Sequence, residues 1–293
     1  MRKPGDWLQR VACLVGLLTA GTAVGAAISF DPIPTGTNGY APGAVGTQGP
    51  TGSPIVGFTG TWSGNTGLVT AESAGLDAPN VVESGGSFKY GLAGYGDTAR
   101  HVERSFTPSA MSEGDTLYFG GIVRTTSTEC NNNFYAMATW SDDTNSAFRV
   151  GIGINWSDFA ITFRERASGT TLDFPNWNAN TDYHVVVEAI VNQGGSEAWH
   201  DTIRVWLNPT LDDVQNRQNI VFERTDISFV NDTDGFDTLT IASDGNQTSD
   251  QLDLYFDELV HTRNIADLNL VPEPSALLLL IAGATGVFRR RRA

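Results

Sequence analysis

The sequence predicts an all-β protein built as a two-sheet antiparallel β-sandwich. Short runs of apolar or alternating residues recur from Ile55 onward, and clusters of Gly, Asn, Asp and Ser separate them. No run outside the two chain ends keeps the 3.6-residue periodicity of an amphipathic helix. Many short strands, punctuated by turn residues and not interrupted by helices, are typical of two packed sheets.

The predicted strands differ in the faces they bury. The run 183–191 is rich in the β-branched residues Val and Ile, which is typical of a strand buried inside a sheet. The run 200–208 alternates, so Ile203, Val205 and Leu207 are predicted to face the core. The run 159–166 alternates in the same way. The other predicted strands are 57–62, 81–83, 87–92, 99–106, 116–124, 134–140, 148–154, 238–243 and 252–262.

The amino-terminal end has the three parts of a secretory signal. Arg2, Lys3 and Arg10 are basic, residues 11–24 are apolar, and Ala26 is a small residue of the kind required at a cleavage site. A transmembrane helix is the alternative, but the apolar run of 14 residues is short for one. We therefore predict a signal peptide over residues 1–26 and export by the Sec machinery.

The carboxyl-terminal end also has three parts in a fixed order. A proline-rich motif is followed by an apolar run, 276–288, and then by four arginines. As a helix the run would be roughly 20 Å long, against about 30 Å of hydrocarbon in a bilayer. The motif is Val271, Pro272, Glu273, Pro274 and Ser275, and the arginines are Arg289, Arg290, Arg291 and Arg292. The prolines end the folded region, and the arginines favour the cytoplasmic side.

These three parts resemble the PEP-CTERM sorting signal of exported bacterial proteins. The resemblance implies recognition by an exosortase, cleavage near the Pro-Glu-Pro motif and display at the cell envelope, cell surface or extracellular matrix. An ordinary membrane anchor is the alternative. The chain then divides into a signal peptide (1–26), a folded domain (27–270) and a sorting signal (271–293).

The charge balance restricts the partners of the folded domain. Without the seven basic and two acidic residues of both ends, 11 basic and 31 acidic residues remain, a net charge of −20. So acidic a surface repels nucleic acid, and we expect membrane contact only through the terminal helix before processing. Cys130 is the only cysteine left, so no disulfide is expected within the domain.

Several segments of the domain resemble laminin-G-like, concanavalin A-like jelly rolls. They are 39–43, 57–62, 87–92, 203–209 and 255–259, and they occur in the order found in that fold. The resemblance implies a jelly roll in which the Pro- and Gly-rich segment 28–54 belongs to the domain, although its composition alone is typical of a linker.

No catalytic residues are predicted, and the protein is expected not to be an enzyme. Glucanases of this fold use closely spaced carboxylates on one strand. The nearest pair, Asp253 and Asp257, shares a face but is separated by roughly 13 Å, whereas retaining chemistry needs about 5 Å. The four histidines are scattered without zinc-ligand spacing.

Structural Ca²⁺ is the one cofactor expected. Asp232, Asp234 and Asp237 lie in a single turn and offer the hard oxygen ligands that Ca²⁺ prefers. Val230 breaks the EF-hand register, and a solvated turn is the alternative. The jelly-roll resemblance implies a Ca²⁺ ligand at Asp257, and an ion pair with an arginine is the alternative there.

A cationic and aromatic surface is the candidate glycan site. Alternation directs the side chains at its five positions away from the core. On one sheet face they would suit an anionic polysaccharide; cross-strand ion pairs with Glu165 or Glu188, and a Trp covering a sheet, are the alternative. The five residues are Arg149, Arg164, Arg166, Arg204 and Trp206.

The function expected from the sequence is glycan or exopolysaccharide binding by an exported, exosortase-processed protein. A purely structural matrix protein without a soluble ligand is the alternative, and glycoside hydrolysis is a third possibility.

Overall fold

The computed structural model describes residues 27–271 with several gaps. The gaps are 36–38, 47, 52–54, 65–66, 68, 83–84, 92–99, 110–111, 127–134, 142–148, 156–159, 165–169, 174–177, 192–200, 228–235 and 245–252. Both predicted targeting segments, with Pro272 to Ser275 and the four terminal arginines, lie outside the described residues. No helix in the described part of the chain is long and apolar enough to cross a membrane.

Sixteen strands and two short helices make up the described structure. The strands are β1 (Ala27–Asp31), β2 (Gly43–Ala44), β3 (Ser63–Gly64), β4 (Val69–Glu72), β5 (Ser87–Gly91), β6 (Arg100–Ser109), β7 (Thr116–Thr125), β8 (Tyr135–Ser141), β9 (Arg149–Asn155), β10 (Ala160–Arg164), β11 (Thr170–Asp173), β12 (Tyr183–Ile190), β13 (Asp201–Leu207), β14 (Phe222–Ile227), β15 (Phe236–Asp244) and β16 (Asp253–Thr262). Helix α1 is Leu211–Asn216, and a 3₁₀ turn spans Ile265–Leu268.

The strands form two antiparallel sheets, which confirms the predicted β-sandwich of jelly-roll type. The nine-stranded sheet has the order β14-β13-β12-β7-β16-β5-β4-β2, with β1 also paired to β16. The seven-stranded sheet has the order β11-β10-β9-β8-β15-β6-β3. Six of the fourteen strand pairs join strands that are consecutive in the chain, and the other eight join strands that are not.

The main core lies between the sheets and follows the predicted alternation. Ile203 and Val205 belong to it, with Leu207 packed at its edge. Strand β12, which is rich in Val, is buried along almost its whole length. In the opening segment Ile33, Tyr40 and Val45 are fully buried in the same core. This part of the Pro- and Gly-rich segment is therefore folded with the sandwich.

A buried polar network fixes the opening segment to the seven-stranded sheet. The Tyr40 hydroxyl donates to Asp31 and accepts from Arg104 Nη1 at 2.8 Å and from Trp62 Nε1 at 3.0 Å. Arg104 Nη2 donates to the Pro50 carbonyl at 2.6 Å. Burial raises the pKa of Asp31, and the Tyr40 hydrogen bond and Arg104 oppose that rise. The network supplies partners for the buried carboxylate and for both terminal nitrogens of Arg104, and leaves Arg104 Nε without one among the described residues.

Several elements differ from the sequence-based prediction, including the three that follow. Helix α1 was not expected; Thr210 and Asp213 form a capping box that starts it, and its six residues are too few to show helical periodicity. Residues 222–227 form β14, which is not among the predicted strands. Residues 57–62 make one isolated bridge, from Phe58 to Phe106, in place of the predicted strand.

Candidate functional site

The outer face of the seven-stranded sheet is lined by small polar residues. On β8, Ala138 and Trp140 belong to the core, so Thr139 between them faces away from it. On β15, Leu239 and Ile241 belong to the core, so Thr240 also faces away. Both strands therefore present hydroxyl groups on the outside of the sandwich.

The strand register aligns these positions in rows across the sheet. Thr139 is the cross-strand partner of Thr240 on one side and of Gly151 on the other. Ser141 is the partner of Thr238 in the same way. Directly opposed residues have Cβ atoms about 5 Å apart, so the residues form a continuous patch. We call Thr139, Ser141, Gly151, Thr238 and Thr240 the hydroxyl floor.

The hydroxyl floor is recessed. Thr139 is 5 % exposed, Ser141 8 % and Thr238 4 %, although all three lie on the face directed away from the core. On neighbouring β6, in contrast, the side chains of His101 and Glu103 are 51 % and 46 % exposed. The side chains at the centre of this face are therefore mostly buried, whereas those of β6 are exposed.

Two of the predicted glycan-binding arginines lie at the other end of this face. Arg149 on β9 is the cross-strand partner of Ser141 and of Arg164 on β10. Like charges directly opposite each other in a ladder are destabilising. The register puts both positions on neighbouring strands of one sheet, and glycan binding by them stays a prediction. Arg166 lies outside the described residues.

The other two predicted glycan-binding residues belong to the opposite sheet. Arg204 on β13 donates to Glu188 at 2.7 Å and to Glu223 at 2.7 Å, and Arg217 reaches Glu188 at 3.2 Å. Glu188 is 1 % exposed. The arrangement is the ion-paired alternative considered from the sequence, and it removes Arg204 from any common patch with Arg149.

Trp206 is not available to stack on a sugar. Its side chain is 1 % exposed and packs in a second apolar cluster with Val186 and Val214. Its Nε1 donates to the Gln218 carbonyl at 2.7 Å. Helix α1 thus covers this part of the outer face of the nine-stranded sheet, so a single patch of all five predicted residues is ruled out.

Tyr118 completes the polar group around Glu188. Its hydroxyl donates to Glu188 at 3.2 Å. Burial, and then the Glu188 charge, raises the pKa of Tyr118 to about 12. The phenol stays protonated at neutral pH, so it serves as a hydrogen-bond donor and not as a base.

The structure describes two of the four predicted calcium ligands, Asp237 and Asp257. Asp257 is fully buried, and its oxygens accept from the backbone N–H groups of Leu76 at 3.0 Å and Glu258 at 2.8 Å. Asp237 accepts from the Thr238 hydroxyl at 2.8 Å. Asp232 and Asp234 lie outside the described residues. No cluster of three His, Cys, Asp or Glu side chains suited to a metal occurs among the residues that are described. Calcium binding stays a prediction.

The hydroxyl floor was missed by the sequence analysis, although a signal for it exists. Hydroxyl residues alternate with large apolar ones in 139–141 and again in 238–241. That pattern predicts a half-buried strand whose outer side is flat. What the pattern lacks is the strand order, and only the fold brings β8, β9 and β15 together.

Comparisons with known proteins concern the fold. No protein-family model matches the chain, and no curated protein matches it. Among solved structures, it is similar to the endo-β-1,4-glucuronan lyase of the fungus Trichoderma reesei, with 14 % identity, a TM-score of 0.46, and coverage of 69 % of this chain and 89 % of the lyase.

Two further solved structures have similar values. The endo-1,3-β-glucanase of Streptomyces sioyaensis is 11 % identical with a TM-score of 0.49, covering 83 % of this chain and 98 % of the glucanase. The cellulose-induced protein Cip1 is 13 % identical with a TM-score of 0.38, covering 67 % of this chain and 85 % of Cip1. These findings contradict the expectation that the protein is not an enzyme, since two of these three structures are enzymes that act on polysaccharides.

Proposed function

We propose that the hydroxyl floor is the base of a groove that binds a polysaccharide chain. The observation that carries the proposal is its combination of shape and chemistry. Hydroxyl groups and a glycine occupy the recessed centre of a face whose neighbouring positions on β6 are polar and exposed. A groove of this kind excludes bulky apolar ligands and offers hydrogen bonds to an extended polar one.

Serine and threonine hydroxyls match the chemistry of a sugar. Each hydroxyl both donates and accepts hydrogen bonds, as the hydroxyls of a sugar do. Adjacent strands lie about 4.8 Å apart, so a row from β6 to β10 extends roughly 19 Å across the sheet. Gly151 on β9 has no side chain, so it adds no bulk to its row. The face is therefore long enough for several consecutive sugar rings.

A blocking variant tests the proposed groove. Thr240 is half-buried in the hydroxyl floor, and Thr240→Trp would place a large ring across it. Thr70→Trp is the matched control, because Thr70 is half-buried on β4 of the opposite sheet. Binding to a panel of soluble polysaccharides is measured by retardation in native gels that contain each polymer.

The proposal makes a definite prediction for this comparison. The unaltered protein and Thr70→Trp are retarded equally, and Thr240→Trp loses at least about tenfold in affinity, which corresponds to about 1.4 kcal/mol. Retardation of Thr240→Trp to the same extent as the unaltered protein, or no retardation by any polymer, would reject the groove. Shortened polymer chains in the same samples would add cleavage to the function.

We also propose the destination that the chain ends predict, namely export, processing near Pro272 and display outside the cell. The contacts of Val271 are compatible with that processing. Its N–H donates to the Asn80 carbonyl at 2.9 Å, and its carbonyl accepts from Leu211 N–H at 3.4 Å. The sandwich therefore keeps these contacts when the residues after Val271 are removed.

A further inference from the structure

We propose that the groove binds uncharged polysaccharides and rejects those that carry carboxylates, and that Glu103 on β6 is the residue that makes this selection. The inference rests on the proposed function and adds the ligand class. It places the ligand contacts on exposed side chains of β6, next to the hydroxyl floor.

Glu103 lies on the outer face of the seven-stranded sheet. Its neighbours along the chain point the other way, since Val102 belongs to the main core and the side chain of Arg104 is fully buried beside Asp31. Successive residues of a strand alternate between its two faces, so Glu103 faces outward. Its side chain is 46 % exposed, and its carboxylate is therefore accessible to a ligand from solution.

The strand register surrounds Glu103 with hydroxyl residues. Exposed Ser63 on β3 is its cross-strand partner on one side, and half-buried Thr240 of the hydroxyl floor is its partner on the other. Exposed Ser105, two residues further along β6, faces the same side. The carboxylate therefore lies where the hydroxyl floor reaches solvent, beside groups that both donate and accept hydrogen bonds.

Glu103 keeps its hydrogen-bonding capacity for a ligand. Its one polar contact among the described residues is with His101 Nε2 at 3.8 Å, which is longer than a hydrogen bond. Both carboxylate oxygens are acceptors, so two adjacent hydroxyls of a sugar ring can each donate to one of them. Hydrogen bonds to an ionised acceptor are roughly twice as strong as those between neutral groups. A sugar ring with two adjacent free hydroxyls therefore matches this carboxylate.

Charge makes the same residue a barrier to anionic polymers. The folded domain has 31 acidic and 11 basic residues, so a polyuronate is repelled by the whole domain and by Glu103 at close range. Arg149 and Arg164 belong to β9 and β10, which lie three and four strands from β6, or roughly 14 Å and more. Exposed charges that far apart are largely screened at physiological salt, so these arginine positions do not cancel the repulsion at Glu103.

The experiment compares two soluble polymers that both carry adjacent free hydroxyls. Glucomannan is uncharged, and polygalacturonate has a carboxylate on every sugar ring. Binding of the full-length protein to each polymer is measured by calorimetry, and the thermal midpoint of each variant verifies folding. The test variant is Glu103→Gln, which keeps the size of the side chain and removes its charge. The matched control is Glu223→Gln on the opposite sheet, because Glu223 is 43 % exposed and is also ion-paired.

We expect the unaltered protein and Glu223→Gln to bind glucomannan at least about tenfold more tightly than polygalacturonate. Glu103→Gln should bind glucomannan at least about tenfold more weakly, since it lacks the charge-assisted hydrogen bonds, and should no longer discriminate between the polymers.

Equal binding of both polymers by the unaltered protein would overturn the inference. A folded Glu103→Gln variant that binds like the unaltered protein would also overturn it, and would reduce Glu103 and His101 to a solvated ion pair. Absence of glucomannan binding would overturn the inference as well, and failure of the whole polysaccharide panel would overturn the groove itself.

Discussion

His261 stacks face to face on Phe119 in the core between the sheets. The ring centroids are 4.6 Å apart and the planes differ by 6°. Phe106 and Phe236 meet the imidazole edge-on. Neither ring nitrogen of His261 has a hydrogen-bond partner among the described residues. The imidazole therefore occupies a position suited to a phenyl ring, and its neutral form is the one that the core accepts.

This relationship predicts a loss of stability in acid. Burial, and to a lesser extent Arg263, lowers the pKa of His261 from 6.5 to about 3. Below pH 6.5 the unfolded chain binds a proton that the folded chain does not, so stability is complete above that pH and falls as pH decreases towards 3. Between pH 7.5 and pH 5 we expect a loss of about 2 kcal/mol from this group, measured by urea unfolding.

His261→Phe isolates that contribution. The phenyl ring keeps the stacking and removes two buried nitrogens without partners, each of which costs about 1–3 kcal/mol in proteins. We expect the variant to be more stable at pH 7.5 and to show a shallower decrease between pH 7.5 and pH 5. His101→Phe, at an exposed histidine, is the control. Lower stability of His261→Phe at pH 7.5 would show that the imidazole does have hydrogen-bond partners in the folded protein.

Arg104 should be coupled energetically to Asp31. Both side chains are fully buried, and Arg104 Nη1 lies 3.6 Å from the carboxylate. Arg104→Met removes the cation and leaves a buried carboxylate, so we expect a loss of about 3–5 kcal/mol. Adding Asp31→Asn should recover part of it. A double-mutant cycle by urea unfolding measures the coupling, and additive losses would contradict it.

Substitution of Glu188 should destabilise the fold far more than substitution of Glu223. Glu188→Gln removes a buried charge that faces two arginines, and we expect a loss of about 3 kcal/mol. Glu223→Gln removes a half-exposed partner of Arg204 and should cost less than about 1 kcal/mol. The phenol of Tyr118 reports the same charge, because Glu188 contributes to its raised pKa. Ultraviolet titration should therefore give a lower Tyr118 pKa in Glu188→Gln, and an unchanged value would contradict the contact.

Processing at the carboxyl-terminal motif predicts a defined mass. Protein recovered outside the producing cells should lack the four terminal arginines, and Pro272→Ala/Pro274→Ala should retain them. Pro42→Ala, at an exposed proline of the opening segment, is the control. Intact-mass spectrometry distinguishes these products. Recovery of the unaltered protein with Arg289 to Arg292 still attached would refute the proposed processing.

The sequence was most informative about burial within a single strand. Alternation in β13 identified Ile203 and Val205 as core residues, and the β-branched composition of β12 identified that strand as buried. It also directed Arg204 and Trp206 away from the main core. What alternation cannot supply is the neighbour across the ladder, because hydrogen bonding in a sheet joins residues that are distant in sequence.

That limit explains the error in the predicted glycan patch. Arg149 and Arg204 both occupy outward positions, yet their strands belong to different sheets. Helix α1, which covers Trp206, is only six residues long and has no periodic pattern to reveal it. The capping residues Thr210 and Asp213 were the available signal, and they indicate where a helix starts but not what it covers.

The pairing of β1 with β16 makes the two extremes of the described fold depend on each other. Phe30 is the partner of Val260, some 230 positions later in the chain. During synthesis the leading segment must remain without its partner until the last strand has been made, and contacts so distant in sequence form slowly. A truncation that removes β16 would leave Phe30 only its bridge to Val56, so β1 is held fully in place only once β16 has been made.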